Sequence, residues 1–167
     1  GGGPSGLSTA IKLKQLNSDL SVCLLEKASE IGAHILSGNV FETRALDELI
    51  PNWKKLNSPI KTKVSKEKFL FLGKTKSLSW PTWLLPSVQQ NHKNYIISLA
   101  NLCRWLGEQA EALGVEIFPG FPASEILYHD DGSVKGVATQ DMGIDKEGNK
   151  KDGFEPGIDL IGKVTVF

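Results

Sequence analysis

The first residues of the chain, GGGPSG, restrict its fold more than any other segment because they run directly into an amphipathic helix. Gly1, Gly3 and Gly6 are spaced as G-x-G-x-x-G, which is typical of a turn that joins a buried strand to a helix and binds a pyrophosphate. Gly1 permits the tight turn, Gly3 lets the pyrophosphate approach the backbone, and Gly6 allows close helix–strand packing. The free N–H groups at the start of the helix favour an anion. The opening therefore predicts a dinucleotide-binding unit.

An acidic residue follows at the position that this motif requires. The run SVCLLEK is short and apolar, and it indicates a strand that ends in Glu26, twenty residues after Gly6. In such units a carboxylate at this place binds the ribose hydroxyls of the dinucleotide. The alternative is a solvated charge at the end of a strand. The order of loop, helix, strand and acid favours the ribose-binding role.

A turn of this kind needs a buried parallel strand in front of it, because only such a strand aims the loop at a ligand. No residue precedes Gly1 in this chain. We therefore expect the chain to be a piece of a longer protein, cut just before Gly1, so that the first strand of its domain is missing. The run GKVTVF predicts a strand that stops abruptly at Phe167, which favours the same expectation.

The composition predicts one globular domain without obvious catalytic side chains. The 167 residues are 40% hydrophobic and 23% charged, and the net charge of zero gives no indication of nucleic-acid binding. Cys23 and Cys103 are far apart, lie in apolar patterns and have no metal-ligand spacing, so we expect two buried free thiols. His34, His92 and His129 are more typical of surface or structural residues than of catalysts. A dinucleotide site without acid–base side chains fits a flavin protein, whose cofactor carries the redox chemistry.

Two apolar segments of the middle of the chain each allow two interpretations. In FETRALDELI the apolar residues share one helical face, which packs either on the protein core or on a membrane surface. The excess of acidic residues on its polar face argues mildly against the membrane. KFLFLGKTKSLSWPTWLLPSV predicts a hairpin and then a loop. Its Trp80, Trp83, Leu84 and Leu85 either join the core or line a site for an apolar ligand.

The second half of the chain predicts another helix–strand unit and then a β-rich part. YIISLANLCRWLGEQAEALG has apolar residues at helical spacing and ends in Gly114, a residue typical of helix C-termini. VEIFPGF follows as a strand. The runs SEILYH and VKGVATQ flank the turn signal DDGS and predict a hairpin. We expect an α/β fold with a β-rich part inserted.

Long strings of the sequence resemble one protein family. The opening GGGPSGLSTAIKLKQL, the run CLLEKASEIGAHILSG, the segment GEQAEALGVEIFPGFPASE and the final KVTVF are similar to the electron-transfer-flavoprotein:ubiquinone oxidoreductases, and the similarity covers essentially the whole chain. It implies a truncated N-terminal part of a monotopic membrane flavoenzyme that passes electrons from reduced electron-transfer flavoprotein to ubiquinone. It also implies FAD and one [4Fe–4S] cluster, whose cysteine ligands lie outside this chain. The implied fold is a Rossmann-like FAD-binding domain of the glutathione-reductase type, truncated at both ends.

The resemblance also implies which residues contact FAD. The matching positions of this chain are Gly1, Gly3 and Gly6 at the pyrophosphate loop, Glu26 at the adenosine ribose, Ser37 and Gly38 in GAHILSG along the cofactor, and Ala123 at the adenine. No residue of this chain matches a catalytic side chain or a metal ligand of the family.

The resemblance divides the chain into parts with different expected roles. Residues 1–167 are interpreted as a partial FAD-binding domain, in which residues 31–95 include an insertion on the membrane and ubiquinone side and residues 123–162 form a β-rich meander. Residues 31–52 match a region at the membrane surface, so the membrane interpretation of FETRALDELI gains support, with Phe41, Leu46, Leu49 and Ile50 facing lipid or a quinone tail. The short link NSDLS favours the cytoplasmic face of a bacterial inner membrane over the matrix face of the mitochondrial one.

Two other functions remain open from the residues alone. One is a related FAD-dependent reductase or monooxygenase of the geranylgeranyl-reductase-like group, which shares the dinucleotide loop. The other is a non-catalytic nucleotide-binding module. For the chain taken by itself we expect no competent enzyme, because the strand that presents the loop is missing.

Overall fold

The computed structural model of the chain describes residues 1–145 and 147–167. The helices are α1 (Pro4–Leu16), α2 (Arg44–Leu49) and α3 (Leu99–Ala112). The strands are β1 (Val22–Glu26), β2 (Asn39–Phe41), β3 (Thr62–Lys63), β4 (Phe69–Leu72), β5 (Ser77–Trp80), β6 (Tyr95–Ile97), β7 (Val115–Pro119), β8 (Ala123–Tyr128), β9 (Val134–Thr139), β10 (Met142–Ile144), β11 (Lys150–Glu155) and β12 (Asp159–Ile161). Short 3₁₀ turns lie at Trp53–Lys55, Thr82–Leu84 and Ser87–Gln89.

Two helix–strand units form the part of the fold that carries the glycine-rich loop. Helix α1 leads into β1 and helix α3 leads into β7, and the two strands pair in parallel with Val22 opposite Val115 and Glu26 opposite Pro119. The two helices contact each other and each packs on the strand that follows it. The predicted mixed α/β fold is therefore confirmed for this part of the chain.

Helix α3 is shorter than the sequence pattern predicted. Ser98 caps its N-terminus, where the side-chain hydroxyl accepts a hydrogen bond from the backbone N–H of Asn101 at 3.3 Å. The predicted first helical turn, including Ile97, is instead strand β6, which pairs with β2 on one side and β3 on the other. The helical interpretation of these residues was wrong because non-local strand partners, which periodicity does not report, satisfy their backbone groups. Gly114, at φ 84°, follows the helix as expected.

Helix α2 packs into the core. Leu46 and Ile50 are 4% and 7% exposed, and they join the cluster that also contains the buried residues of α1 and α3. Beside them the indole N–H of Trp53, a residue that is 1% exposed, donates to Asp47 at 2.7 Å. This hydrogen bond, with a second from the Thr43 hydroxyl, lowers the pKa of Asp47. The expectation that Phe41, Leu46, Leu49 and Ile50 face lipid was therefore wrong for Leu46 and Ile50, because both are buried in this cluster. Phe41 and Leu49 are half-buried and pack against the same cluster.

The exposed apolar surface of the middle segment lies on the predicted hairpin. Strands β4 and β5 pair antiparallel with each other, and Phe69 stands opposite Trp80. Every residue of β5 is exposed, as are Trp83 at 75% and Leu84 at 51%, whereas Leu85 is half-buried. The interpretation of Trp80, Trp83 and Leu84 as core residues was therefore wrong. Their side chains form part of an exposed apolar surface instead.

The remaining strands form two small sheets. Strand β9 lies between β8 and β12, and β10 pairs with β11. Strand β12 ends at Ile161, and residues 163–167 have no strand structure, so the predicted strand in GKVTVF is not formed there. No strand of the described residues pairs with this last segment, which explains the difference.

The two cysteines differ in their surroundings. Cys103 is fully buried in α3 as expected, but Cys23 is exposed. Successive side chains of a strand point to opposite faces, and in β1 it is Leu24 that faces the core. The prediction of two buried thiols was therefore wrong for Cys23. Within residues 1–145 and 147–167 no helix is long and apolar enough to span a bilayer.

We expect Leu46→Ala to lower the free energy of unfolding by about 2–4 kcal/mol, because it opens a cavity among buried side chains. Urea unfolding followed by circular dichroism measures this change. Leu36→Ala is the matched control, since Leu36 is 87% exposed, and its effect should stay below about 0.5 kcal/mol. Equal midpoints for the two variants would show that α2 does not depend on the core.

Candidate functional site

The glycine-rich loop packs tightly against the start of helix α1 at Gly6, and it has free space in front of Gly3. A Cβ atom on Gly6 would overlap the carbonyl oxygen of Gly1, so only glycine allows this approach of loop and helix. A Cβ atom on Gly3, by contrast, would meet no atom within 4 Å. Gly3 caps α1, and its carbonyl accepts the N–H of Leu7 at 3.1 Å. The space in front of Gly3 at the helix N-terminus is therefore free for an anionic group.

The carboxylate of Glu26 ties this loop to strand β1. One of its oxygens accepts the backbone N–H of Gly2 at 2.6 Å, and the other accepts the backbone N–H of Ala28 at 2.7 Å. Glu26 is half-buried. A carboxylate has about four lone-pair sites, so acceptor positions remain on both oxygens. The orientation of the group is thus held by the backbone, and it can still accept hydroxyl protons of a ligand.

The segment after β7 reaches the same end of the sheet. The backbone N–H of Phe121 donates to the carbonyl of Glu26 at 3.0 Å, and that of Gly120 donates to the carbonyl of Ala28 at 2.7 Å. Ala123 follows directly as the first residue of β8 and is exposed. The structure therefore brings the loop, Glu26 and the segment before Ala123 together beyond the carboxyl ends of two parallel strands, where ligands of open α/β sheets bind.

The glycine-rich loop packs against the loop that contains Ile31 and Gly32, and that second loop packs against helix α3. A Cβ atom on Gly2 would overlap the side chain of Ile31, and one on Gly32, at φ 86°, would overlap the carbonyl oxygen of Ala100 in α3. Cys103 is fully buried in the same helix; this burial, and secondarily the negative charge of Glu26, raise the pKa of its thiol to about 11. The thiol therefore stays protonated at neutral pH, as expected of a packing residue.

Two of the predicted site residues lie in a more exposed place. Ser37 and Gly38 are exposed in the loop before β2, and Gly38 has φ 89°, a left-handed conformation that favours glycine. His34, His92 and His129 are all exposed. Among residues 1–145 and 147–167, no group of three or more His, Cys, Asp or Glu side chains is placed to hold a metal ion.

The sequence pattern did not single out Gly2, Ile31 or Gly32. Gly2 supplies the N–H that Glu26 binds and has no room for a side chain because of Ile31. The available signal was that Gly2 is also a glycine, although the motif itself requires glycine only at its first, third and sixth positions. The need for glycine at position 32 depends on the approach of α3, which the sequence does not reveal.

Comparison with known proteins agrees with this geometry. A family described as an NAD(P)-binding Rossmann-like domain matches residues 1–58. The chain is 54% identical over 171 residues to the mitochondrial electron transfer flavoprotein-ubiquinone oxidoreductase of Dictyostelium discoideum. It is 51% identical over 173 residues to the electron transfer flavoprotein-ubiquinone oxidoreductase of Pseudomonas aeruginosa. Both alignments cover the whole of this chain. The chain spans 28% and 31% of the length of these relatives.

Solved structures share the fold. A geranylgeranyl bacteriochlorophyll reductase-like protein of Thermoplasma acidophilum matches with a TM-score of 0.60 and 19% identity, over 84% of this chain and 33% of its own. A flavoprotein/dehydrogenase of Cytophaga hutchinsonii matches with a TM-score of 0.54 and 18% identity, over 95% of this chain and 36% of its own. These matches concern the fold. The resemblance seen in the sequence is confirmed by relatives of 51–55% identity.

We expect Gly6→Ala to destabilise the protein by about 1–3 kcal/mol, the usual effect of overpacking. Replacing glycine by alanine within a helix normally stabilises the protein. A destabilising effect of Gly6→Ala would therefore show that the Gly1 carbonyl leaves no room for the added methyl group. Gly3→Ala is the control, because its added methyl group meets open space. Thermal and urea unfolding measure both variants. A Gly6→Ala protein as stable as Gly3→Ala would contradict the close approach.

Proposed function

We propose that this chain, which is similar over its whole length to part of the electron transfer flavoprotein-ubiquinone oxidoreductases, is the FAD-binding part of such an enzyme. One observation carries the proposal. The open N-terminus of α1 at Gly3 and the oriented carboxylate of Glu26 lie at one end of a parallel strand pair. An anionic pyrophosphate fits the helix N-terminus, and a ribose fits the carboxylate. In FAD the pyrophosphate is attached directly to the ribose of the adenosine.

Each group of the site has a proposed task. The loop of Gly1, Gly3 and Gly6 binds the pyrophosphate through backbone N–H groups and the helix dipole. Glu26 accepts hydrogen bonds from the adenosine ribose with the lone pairs that Gly2 and Ala28 leave free. The backbone at Ala123 contacts the adenine. Ser37 and Gly38 lie along the cofactor, as the resemblance implies.

The bound FAD would supply the electron-transfer chemistry, and this chain would supply binding and orientation. For the whole protein we propose reduced electron-transfer flavoprotein as electron donor and ubiquinone as acceptor, since the relatives bear that name. A [4Fe–4S] cluster is proposed for the whole protein, with ligands outside this chain. Inactivity of the chain by itself stays a prediction.

The relatives favour this function over the alternatives. The geranylgeranyl-reductase-like group is represented by a solved structure of 19% identity, a likeness that concerns the fold alone. Identities of 51–55% join this chain to the oxidoreductases. A non-catalytic nucleotide-binding module would share the loop, but it gives no reason for the similarity to extend to Phe167.

The hairpin of β4 and β5 is the proposed contact with the membrane surface. Its apolar side chains extend from the fold, with Phe71 at 54%, Leu72 at 79% and Leu78 at 64% exposed. It lies within residues 31–95, the proposed insertion on the membrane and ubiquinone side, whereas 123–162 is the proposed β-rich meander. Tryptophan side chains such as Trp80 and Trp83 suit a membrane–water interface. The cytoplasmic face of a bacterial inner membrane stays a prediction, since both mitochondrial and bacterial relatives match at similar identity.

We expect Gly3→Val to abolish co-purifying FAD in the full-length protein while leaving its far-UV circular dichroism spectrum unchanged, because the side chain occupies the open space of the pyrophosphate. Flavin absorbance per mole of protein measures the effect. Ala112→Val, at the exposed far end of α3, adds bulk outside the site and should retain FAD. Undiminished FAD in folded Gly3→Val would overturn the assignment of the loop.

We expect Leu72→Glu combined with Leu78→Glu to weaken liposome binding of the full-length protein by at least about tenfold, because each buried leucine contributes roughly 1.5–3 kcal/mol. FAD content should not change. The control carries Leu16→Glu and Val164→Glu, the same charge change at exposed apolar residues outside residues 31–95. Co-sedimentation with vesicles compares the two. Equal losses would indicate charge repulsion instead of hairpin insertion.

A further inference from the structure

The basic residues of this neutral chain are concentrated in one segment. Between Trp53 and Trp80 there are eight lysines and a single acidic residue, Glu67. The rest of the chain carries eleven basic and eighteen acidic side chains. This distribution places a positive field around one part of the surface, and the glycine-rich loop is not in that segment.

A cavity of about 280 Å³ lies within this basic segment. Its lining consists of Trp53, Lys54, Asn57, Ser58, Ile60, Lys61, Lys63 and Tyr95. The volume equals roughly nine water molecules at about 30 Å³ each. A phosphate group, with five heavy atoms, fits there together with several waters.

The lysines of the cavity are not neutralised by ion pairs. In the described part of the chain the ion pairs are Arg44 with Glu42 and Arg104 with Glu30, and neither includes a lysine. Among the cavity lysines, Lys54 interacts electrostatically with the carboxylate of Asp47. Its oxygens accept hydrogen bonds from Trp53 and Thr43, and Asp47 does not line the cavity.

Two of the lysines are held over aromatic rings that face the cavity. The ammonium of Lys54 lies 5.2 Å from the ring centre of Trp53, and that of Lys63 lies 5.9 Å from the ring centre of Tyr95. Such cation–π contacts limit the freedom of the side chains without cancelling their charge. Less ordering is then needed when an anion binds.

The wall of the cavity includes a serine. Ser58 is 5% exposed, and it is one of the residues that line the cavity. A hydroxyl group can donate a hydrogen bond to a ligand oxygen.

The backbone near Ser58 is attached to the hydrophobic core by a hydrogen bond and by buried neighbouring side chains, so the cavity is part of the folded structure. The indole N–H of Trp105, in α3, donates to the carbonyl of Leu56 at 3.1 Å. Ile60 is 5% and Tyr95 9% exposed, and both belong to the core cluster. The positive groups and the hydroxyl therefore converge on a space that exists without a ligand.

We propose that this cavity binds a phosphate group, with Lys54, Lys61 and Lys63 as the charged partners and Ser58 as the hydrogen-bond donor. Ammonium groups bind phosphate as point charges, and the hydroxyl adds a directed bond from the protein interior. Two sources share this chemistry: free phosphate in solution and the headgroup of an anionic phospholipid. The lysines of the cavity and the hairpin that begins at Phe69 belong to the same stretch of the sequence.

The test uses the full-length protein and two probes, inorganic phosphate and equimolar phosphatidylglycerol–phosphatidylcholine vesicles. Equilibrium dialysis with radiolabelled phosphate at constant ionic strength gives the dissociation constant. The cavity variant carries Lys61→Gln and Lys63→Gln. The matched control carries Lys151→Gln and Lys163→Gln, which remove the same charge from exposed positions outside the cavity and outside the hairpin. Ser58→Ala removes the hydroxyl alone.

We expect the cavity variant to bind its probe at least about tenfold more weakly than wild type, Ser58→Ala about threefold more weakly, and the control within twofold of wild type. A loss confined to inorganic phosphate identifies the source as free phosphate. A loss confined to the vesicles identifies the lipid headgroup, and competition between the two probes shows that both occupy the cavity.

Two results would overturn the proposal: no saturable binding of either probe, or equal losses in the cavity and control variants, which would indicate general surface charge. If the double lysine variant fails to fold, as shown by circular dichroism, Ser58→Ala decides alone, and wild-type affinity in it rejects the site. FAD content is measured in every variant. Because the cavity is separate from the glycine-rich loop, an unchanged flavin content keeps this test distinct from that of the proposed function.

Discussion

The two hydrogen bonds of the Glu26 carboxylate are the interaction on which the candidate site depends. They join the N–H of Gly2 in the loop to the N–H of Ala28 beyond β1, so the side chain holds the loop against the end of its strand. Hydrogen bonds to an ionised acceptor are among the stronger ones in proteins. The backbone carbonyls of Glu26 and Ala28 in turn bind the segment that leads to β8. One short stretch of chain thus positions the pyrophosphate loop, the proposed ribose acceptor and the proposed adenine contact.

Close backbone approach is the second requirement, and it explains why small residues recur around this centre. Gly6 lies against the Gly1 carbonyl, Gly2 against Ile31, and Gly32 against the carbonyl of Ala100. Helix α3 therefore packs against the loop that contains Gly32, and its own Cys103 is fully buried. The site is consequently coupled to the core, and its glycines serve packing as much as ligand access.

The middle segment separates into a buried part and an exposed part with different physical character. Helix α2 and Trp53 belong to the core, whereas the hairpin of β4 and β5 presents apolar side chains to the surroundings. Most residues that line the basic cavity lie between these two elements in the sequence. Exposed apolar side chains and a lysine-lined cavity within one segment suit a membrane that is apolar inside and carries anionic lipids at its surface.

Residue types and spacing alone determined the dinucleotide motif, the acid at Glu26, the helix–strand units and the family resemblance, because these depend on local chain geometry and on motifs read directly from the residues. Only the tertiary structure decided what covers an apolar face. The same helical periodicity in FETRALDELI predicts a core helix or a membrane-surface helix, and the packing of Leu46 against the helices of the dinucleotide unit selects the first. Likewise, the partners of β6, the exposure of Cys23 and the placement of Tyr95 beside the segment from Lys54 to Lys63 depend on residues far apart in the chain. Contacts of that range leave no period in the sequence, since they are set by how the elements pack.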